Sequence, residues 1–281
     1  MPPRTHPTAR QLRLGAELRK LREATGVVSS DAAKALGTSQ AQISNIEAGK
    51  NGVSQERLRR LAEIYGCEDA QLVDALVAMA TDRQTGWWEE YRGVLAPKAL
   101  DIAEMEHHGS DIRTFQAVHI PGVLQTEDHM RAASIFAEPT LSEATREAHV
   151  SFRTKRRAVL ESGILYDAIV HEAALRMRVG GTEVARAQLE HLVEASEREN
   201  LTIRVIPFSA EGFAGAGHPM QYVSGVVPQL DTVQIDTIHG AELIDAVAQL
   251  GSYKARLELI GSAALAEDAS LALVRDIAQN L

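Results

Sequence analysis

Leucine recurs at helical spacing in the first part of the chain. Leu12, Leu14, Leu18 and Leu21 mark one helix running from Gln11 to a stop at Gly26, with Arg13, Arg19, Lys20 and Arg22 around them. Four shorter helical patterns follow. Ala32, Ala33 and Leu36 form the apolar side of the second, with Ser29 or Ser30 as its cap and Gly37 as its stop. Ile43 and Ile46 mark the third, between Ser39 and Gly49. Ser54 caps the fourth, which carries Leu58, Leu61, Ala62 and Tyr65 and ends at Gly66; the fifth starts near Glu68 or Asp69 and holds Leu72, Leu76 and Met79. Short helices joined by tight turns predict a compact all-α domain over residues 11–80. Ahead of it, residues 1–10 hold three prolines and two arginines and read as a disordered basic arm.

Beyond a linker at 81–86 the texture changes. The segment Trp87-Trp88-Glu89-Glu90-Tyr91 reads as the start of a helix. Apolar and alternating runs at 112–120, 164–170, 201–206, 220–223 and 233–238 predict strands, and helices are expected at 127–136, 142–161, 182–197, 242–264 and 270–279. Residues 87–281 therefore predict an α+β domain, and the chain is multidomain.

Charge divides at nearly the same place. The whole chain has 29 Lys+Arg against 38 Asp+Glu, a net of -9, which taken alone argues against a polyanion binder. Residues 1–60 carry 11 basic and 5 acidic side chains, whereas residues 61–281 carry 18 and 33. A basic head suited to a polyanion thus precedes an acidic body that phosphates repel. Cys67 is the single cysteine, so neither an internal disulfide nor a cysteine-rich zinc site is expected, which fits a reducing cytoplasm. No run approaches the ~20 apolar residues of a membrane span, and no membrane partner is expected.

The most informative stretch is 26–50, GVVSSDAAKALGTSQAQISNIEAGK. Two short helices joined at Gly37 would set the second across the first, with its N-terminal residues free to enter a major groove. Ser39-Gln40-Ala41-Gln42 matches a Ser-x-x-Gln capping box. Gln and Asn side chains can pair with the N6 and N7 edge of adenine, and an alanine methyl can touch the thymine methyl. Leu36-Gly37-Thr38-Ser39, Ile43-Ser44-Asn45-Ile46-Glu47-x-Gly49 and Leu58-x-x-Leu61-Ala62 resemble the lambda-repressor-like helix-turn-helix domains of the xenobiotic-response-element (XRE) family of bacterial regulators. The resemblance implies base contacts by Gln40, Ala41, Ser44 and Asn45, and phosphate contacts by Ser39, Lys50 and Asn51; Gln42, exposed on the same helix, is a further DNA-binding candidate unless the cap consumes it. It also implies a structural ion pair between Arg22 and Glu47. Val28 and Ser29 stand where the family usually has Thr-Gln, whose glutamine grips a phosphate, and Ala48 cannot donate to phosphate. A single head should therefore bind weakly, and tight binding should need two heads on a two-fold operator.

The body offers less chemistry. It has no Gly-x-Ser-x-Gly nucleophile elbow and no phosphate-cradling glycine motif; Gly212-x-x-Gly215-x-Gly217 reads as a mobile loop. His171-Glu172 lacks the second histidine of a zinc helix because position 175 is Leu, and His107-His108 with Glu104 and Glu106 reads as a solvated cluster. Catalytic residues, metal and cofactor are all expected to be none. Two strand-to-helix junctions stand out, one through Pro121-Gly122-Val123-Leu124-Gln125-Thr126-Glu127-Asp128 and one through His171-Glu172-Ala173-Ala174-Leu175-Arg176. They read either as pocket walls or as good capping chemistry.

Those junctions, the Trp-Trp-x-x-Tyr entry and Leu201-Thr202-Ile203-Arg204-Val205-Ile206-Pro207-Phe208 make 87–281 similar to the C-terminal domain of unknown function of actinobacterial, antitoxin-like regulators of streptomycetes. His171 departs from the aspartate usual there, and His129 from a common aromatic. The resemblance implies a regulator encoded beside a small partner protein. The combined expectation is an all-α five-helix helix-turn-helix head followed by an α+β domain: a cytoplasmic, nucleoid-associated, homodimeric repressor on a double-stranded DNA operator. The body would bind a small protein encoded by a neighbouring gene, with Trp87, Trp88, Tyr91, Arg113, Gln125 and Arg176 as candidate contacts for that partner or for a ligand. Two alternatives stay open: a small-molecule-responsive regulator with a pocket in the body, and an enzyme with a vestigial head.

Overall fold

The computed structural model describes residues 7–214, 219–237 and 240–281. The first six residues of the expected arm, Gly215 and Gly217 of the glycine loop, and Ile238 of the last expected strand lie outside the described residues. The chain divides into two compact units, the first ending at Glu89 and the second beginning at Glu90.

The first unit has five helices, α1 (Ala9–Ala24), α2 (Ser29–Leu36), α3 (Gln40–Glu47), α4 (Gln55–Ile64) and α5 (Ala70–Thr81). α1 starts two residues ahead of the expected Gln11, because Thr8 closes a capping box. The Gln11 N–H donates to Thr8 Oγ1 (3.4 Å) and the Thr8 N–H donates to Gln11 Oε1 (3.2 Å). Residues 8–10 are thus cap and first turn rather than arm. Neither expected serine caps α2. Val28 holds the N-cap position, its extended carbonyl accepting from the Asp31 and Ala32 N–H groups, and both serines lie inside the helix. Gly37 ends α2 at φ 66, a conformation open to glycine at little cost, and this turn sends the chain into α3. Leu18, Ile43, Leu58, Leu61, Tyr65 and Leu76 are fully buried and form the centre of the unit.

Trp87–Tyr91 is a single 3-10 turn, not the start of a long helix. The first helix of the second unit is α6 (Pro97–His107), which the apolar pattern did not reveal; its Pro97 stands in the first turn, where a missing N–H costs nothing. Then come β1 (Asp111–Gln116), α7 (Glu127–Ala137), α8 (Glu143–Arg156), α9 (Ala158–Glu161), β2 (Leu165–His171), α10 (Glu172–Arg176), α11 (Thr182–Ala195) and β3 (Leu201–Ile206). The chain finishes with β4 (Met220–Ser224), β5 (Thr232–Thr237), β6 (Gly240–Ile244), α12 (Val247–Ser262) and α13 (Glu267–Gln279). The helix expected over 142–161 is broken at Arg157, and the one expected from 242 begins only at Val247 because 240–244 pairs as a strand.

All six strands form one sheet in the order β3-β2-β1-β4-β5-β6. β1, β2 and β3 run parallel, while β4, β5 and β6 join antiparallel. Parallel neighbours need crossovers, which α7–α9 and then α10–α11 supply. The central strands are therefore buried on both faces, with Ile112, Tyr166, Ala168 and Val205 in one core and Phe115, Ile169, Ile206 and Val233 in the other. The outer edge of β3 is capped at Val205: the Leu265 N–H donates to the Val205 carbonyl (2.9 Å), and the Val205 N–H donates to Ser270 Oγ (2.9 Å).

Candidate nucleic-acid interface

α3 is short and two-faced. Ile43 and Ile46 are buried, while Gln40, Ala41 and Ser44 are exposed and Gln42 and Asn45 partly so. Ser39 caps it, its Oγ accepting from the Gln42 N–H (3.2 Å). Only this half of the expected capping box forms, because the Gln42 side chain turns to the preceding loop and accepts from the Thr38 hydroxyl (2.7 Å). Gln40 is held from α2: its Nε2 donates to Ser29 Oγ (3.1 Å). That leaves one amide N–H and Oε1, the donor and acceptor that adenine N7 and N6 require. Ser29, expected as a helix cap and standing where the family has a phosphate-gripping glutamine, is instead a brace for the first residue of the exposed helix. Lys50 is exposed, and the Lys50 and Asn51 N–H groups both donate to the Asn45 carbonyl (2.9 and 3.0 Å). Asn51 Oδ1 is buried without a hydrogen-bond partner.

Behind α3, Arg22 reaches across from α1. Its Nε and Nη2 donate to Glu47 Oε1 (2.7 Å) and Oε2 (2.9 Å), and its Nη1 donates to the Val27 carbonyl (2.9 Å). This fork geometry fits a carboxylate at both oxygens. The bond to Glu47 holds the guanidinium above its ordinary pKa despite burial. Burial and the negative charge of Glu47 push the nearby Tyr65 hydroxyl up to about 12. Gly15 makes the helix contact possible, since a Cβ there would lie 2.5 Å from the Glu47 carbonyl oxygen. The sequence signal for this was a lone glycine inside a helical pattern. Within the same unit, Lys34, Lys50 and Arg57 have no ion-pair partner among the described residues, whereas Arg59 pairs with Asp74 and Arg60 with Glu63.

The candidate contacts of the body are largely used in its own packing. Trp88 is buried and meets Trp87 edge-on, and the division after Glu89 counts both with the first unit rather than with 87–281. Tyr91 shares a hydrogen bond with Ser151 Oγ (2.8 Å) and packs edge-on against Phe152. Arg113 pairs with Asp167 (3.4 Å) and Glu258 (2.5 Å), fastening α12 to the sheet. Gln125 Nε2 donates to the Ile120 carbonyl (2.7 Å). Arg176 donates to Glu172 (2.6 Å), whose other oxygen accepts from the Phe208 N–H (2.7 Å). His171 Nδ1 accepts from the Ala173 N–H (3.2 Å), so the imidazole does the capping work of a short polar side chain. The expected histidine–glutamate cluster does not converge. Glu106 turns inward to Arg156 and Gln221, and among the described residues no group of three or more His, Cys, Asp or Glu stands ready to hold a metal. No helix among the described residues is long and apolar enough to cross a membrane.

Two families match this arrangement. A family described as a domain of unknown function (DUF5753) matches residues 99–276, and one described as a helix-turn-helix domain matches residues 13–76. No curated protein and no solved structure matches the chain.

Proposed function

Since the chain belongs to the family of the domain of unknown function DUF5753 and carries a DNA-binding helix-turn-helix domain ahead of it, we propose that it is a sequence-specific, XRE-type transcriptional repressor of the cytoplasm that works as a homodimer. α3 enters the major groove, where Gln40 and Asn45 read bases, and Lys50 lies against phosphate. The body dimerises and receives a small protein encoded beside it, in the manner of antitoxin-like regulators, and performs no catalysis. The observation that carries this reading is the exposed face of α3, with Gln40 braced by Ser29. The acidic balance of residues 61–281 supports a body that stays off the phosphates.

The test is binding to the protein's own promoter, by gel shift, of the wild type and of a Gln40→Ala, Asn45→Ala double variant. Each lost base contact costs about 1–3 kcal/mol, so specific affinity should fall at least about fivefold per side chain and at least about thirtyfold for both, with circular dichroism unchanged. Equal specific affinity refutes the readout.

A second reading, a body that senses a small molecule, draws on one observation. Gln125 Oε1, His129 Nδ1 and Arg157 Nε are buried without hydrogen-bond partners, and Arg157 Nη2 itself donates to the Gln125 carbonyl. Unsatisfied polar atoms on Gln125 and Arg157, which touch, and on His129 in the helix that follows suit a polar guest. Native mass spectrometry of the purified protein separates the two readings by whether a small ligand or a small protein travels with the chain.

A further inference from the structure

The two edges of the sheet are treated differently. At β3 the outward N–H and C=O of Val205 are taken by Ser270 and Leu265. At β6, residues 241–244 receive no hydrogen bond from any element but β5 among the described residues. Half of their backbone donors and acceptors therefore face outward unpaired. The strand, Gly-Ala-Glu-Leu-Ile, has neither the proline nor the lysine that ordinarily guards such an edge. Leu243 and Ala241 are only half-buried. α6 packs beside the strand, and between them runs a groove of about 350 Å³ lined by Lys98, Asp101, Ala241, Glu242 and Leu243.

We infer that β6 is the seam on which two copies of this chain pair, antiparallel about a two-fold axis, so that one sheet continues into the other. The occupant follows from charge. Lys98 and Glu242 line the same groove, and neither has an ion-pair partner among the described residues. A two-fold rotation sets a groove bearing one free cation and one free anion against its own copy with the signs crossed, which is the self-complementarity an isologous contact needs. A partner chosen by the acidity of the body would instead be basic, and this groove offers it no excess of negative charge over positive beyond Asp101. Pairing would satisfy the outward backbone groups and bury Ala241 and Leu243. The seam rests on the dimeric reading above and gives it a surface.

Sedimentation velocity of the full chain over a range of concentrations tests the seam. The wild type should dimerise, and Leu243→Lys, which puts a charge from each copy into the seam, should leave a folded monomer. Lys98→Glu and Glu242→Lys should each raise the dimer dissociation constant by about tenfold through two symmetric like-charge contacts, and the double exchange should restore it. Restoration is a readout that simple damage to the fold would not produce. The monomeric variants should still bind a single operator half-site, which distinguishes failure of the seam from failure of DNA recognition. A wild type that is monomeric alone, whether or not it pairs with a neighbouring gene's product, overturns the inference. So does a Leu243→Lys variant that remains dimeric, or a charge exchange that restores nothing.

Discussion

Replacing Arg22 with alanine removes more than a surface charge. Three hydrogen bonds vanish, two of them to Glu47 and one to the Val27 carbonyl. Glu47, whose side chain is 8% exposed, stays behind without its cation. Stripping one partner from a buried pair costs about 3–5 kcal/mol, because the remaining charge keeps its desolvation penalty and loses its compensation. That is a large part of the ~5–15 kcal/mol by which a domain is stable. At roughly 4–8 °C per kcal/mol for a domain of this size, the melting temperature of the head should fall by at least about 12 °C. Scanning calorimetry of the full chain should show an early transition moving while a later one, belonging to the body, stays. The double variant Arg22→Met, Glu47→Leu replaces the pair by apolar groups of similar length and should recover most of the loss. The pair is not a scaffold element if Arg22→Ala melts within about 3 °C of wild type, or if the double variant is no more stable than the single.

Two further outcomes are expected. His129 is 5% exposed, and burial, aided by His119, depresses its pKa from the ordinary 6.5 to about 4. The unfolded chain therefore takes up the proton first: stability is fully present above pH 6.5 and falls as pH drops towards 4, by about 3 kcal/mol at most. Urea titrations of His129→Leu at pH 7 and pH 5 should show a smaller pH difference than wild type, and an equal difference would show that another group is responsible. At the head, Lys50→Gln should weaken binding to all DNA sequences alike and flatten the plot of log affinity against log salt by about 1 per head. A change in sequence preference without a change in slope would place Lys50 on bases instead.

Much of the head was legible because its helices announce themselves twice, by periodic leucines and by punctuating residues. Ser54 and Asp69 cap α4 and α5 as their spacing suggests, and Gly37 ends α2. What escaped was chemistry between elements. Nothing local tells Gln42 to turn back to Thr38 rather than close its own cap, or Ser29 to accept from Gln40 instead of capping α2. In the body, β2 and β3 were readable as short apolar runs because parallel strands are covered on both faces. β6 was not, since five residues with one glycine and one glutamate resemble a helix start as much as an edge strand. The polar side chains Arg113, Gln125 and Arg176 looked like candidates for recognition because a sequence shows their hydrogen-bonding capacity but not the Asp167, Ile120 and Glu172 that consume it.

The close approach of Gly15 to the backbone of Glu47 has a consequence for how this regulator can change over generations. α3 is located by its inner side, through main-chain contact, two isoleucines and one ion pair, none of which involves Gln40, Ala41 or Ser44. Substitutions on the outer side should therefore alter operator preference at small cost in stability, usually within about 0.5 kcal/mol for exposed positions. If α3 reads bases as proposed, target choice and foldability are separable properties of the same eight-residue helix, and a change of operator would not first require repair of the fold.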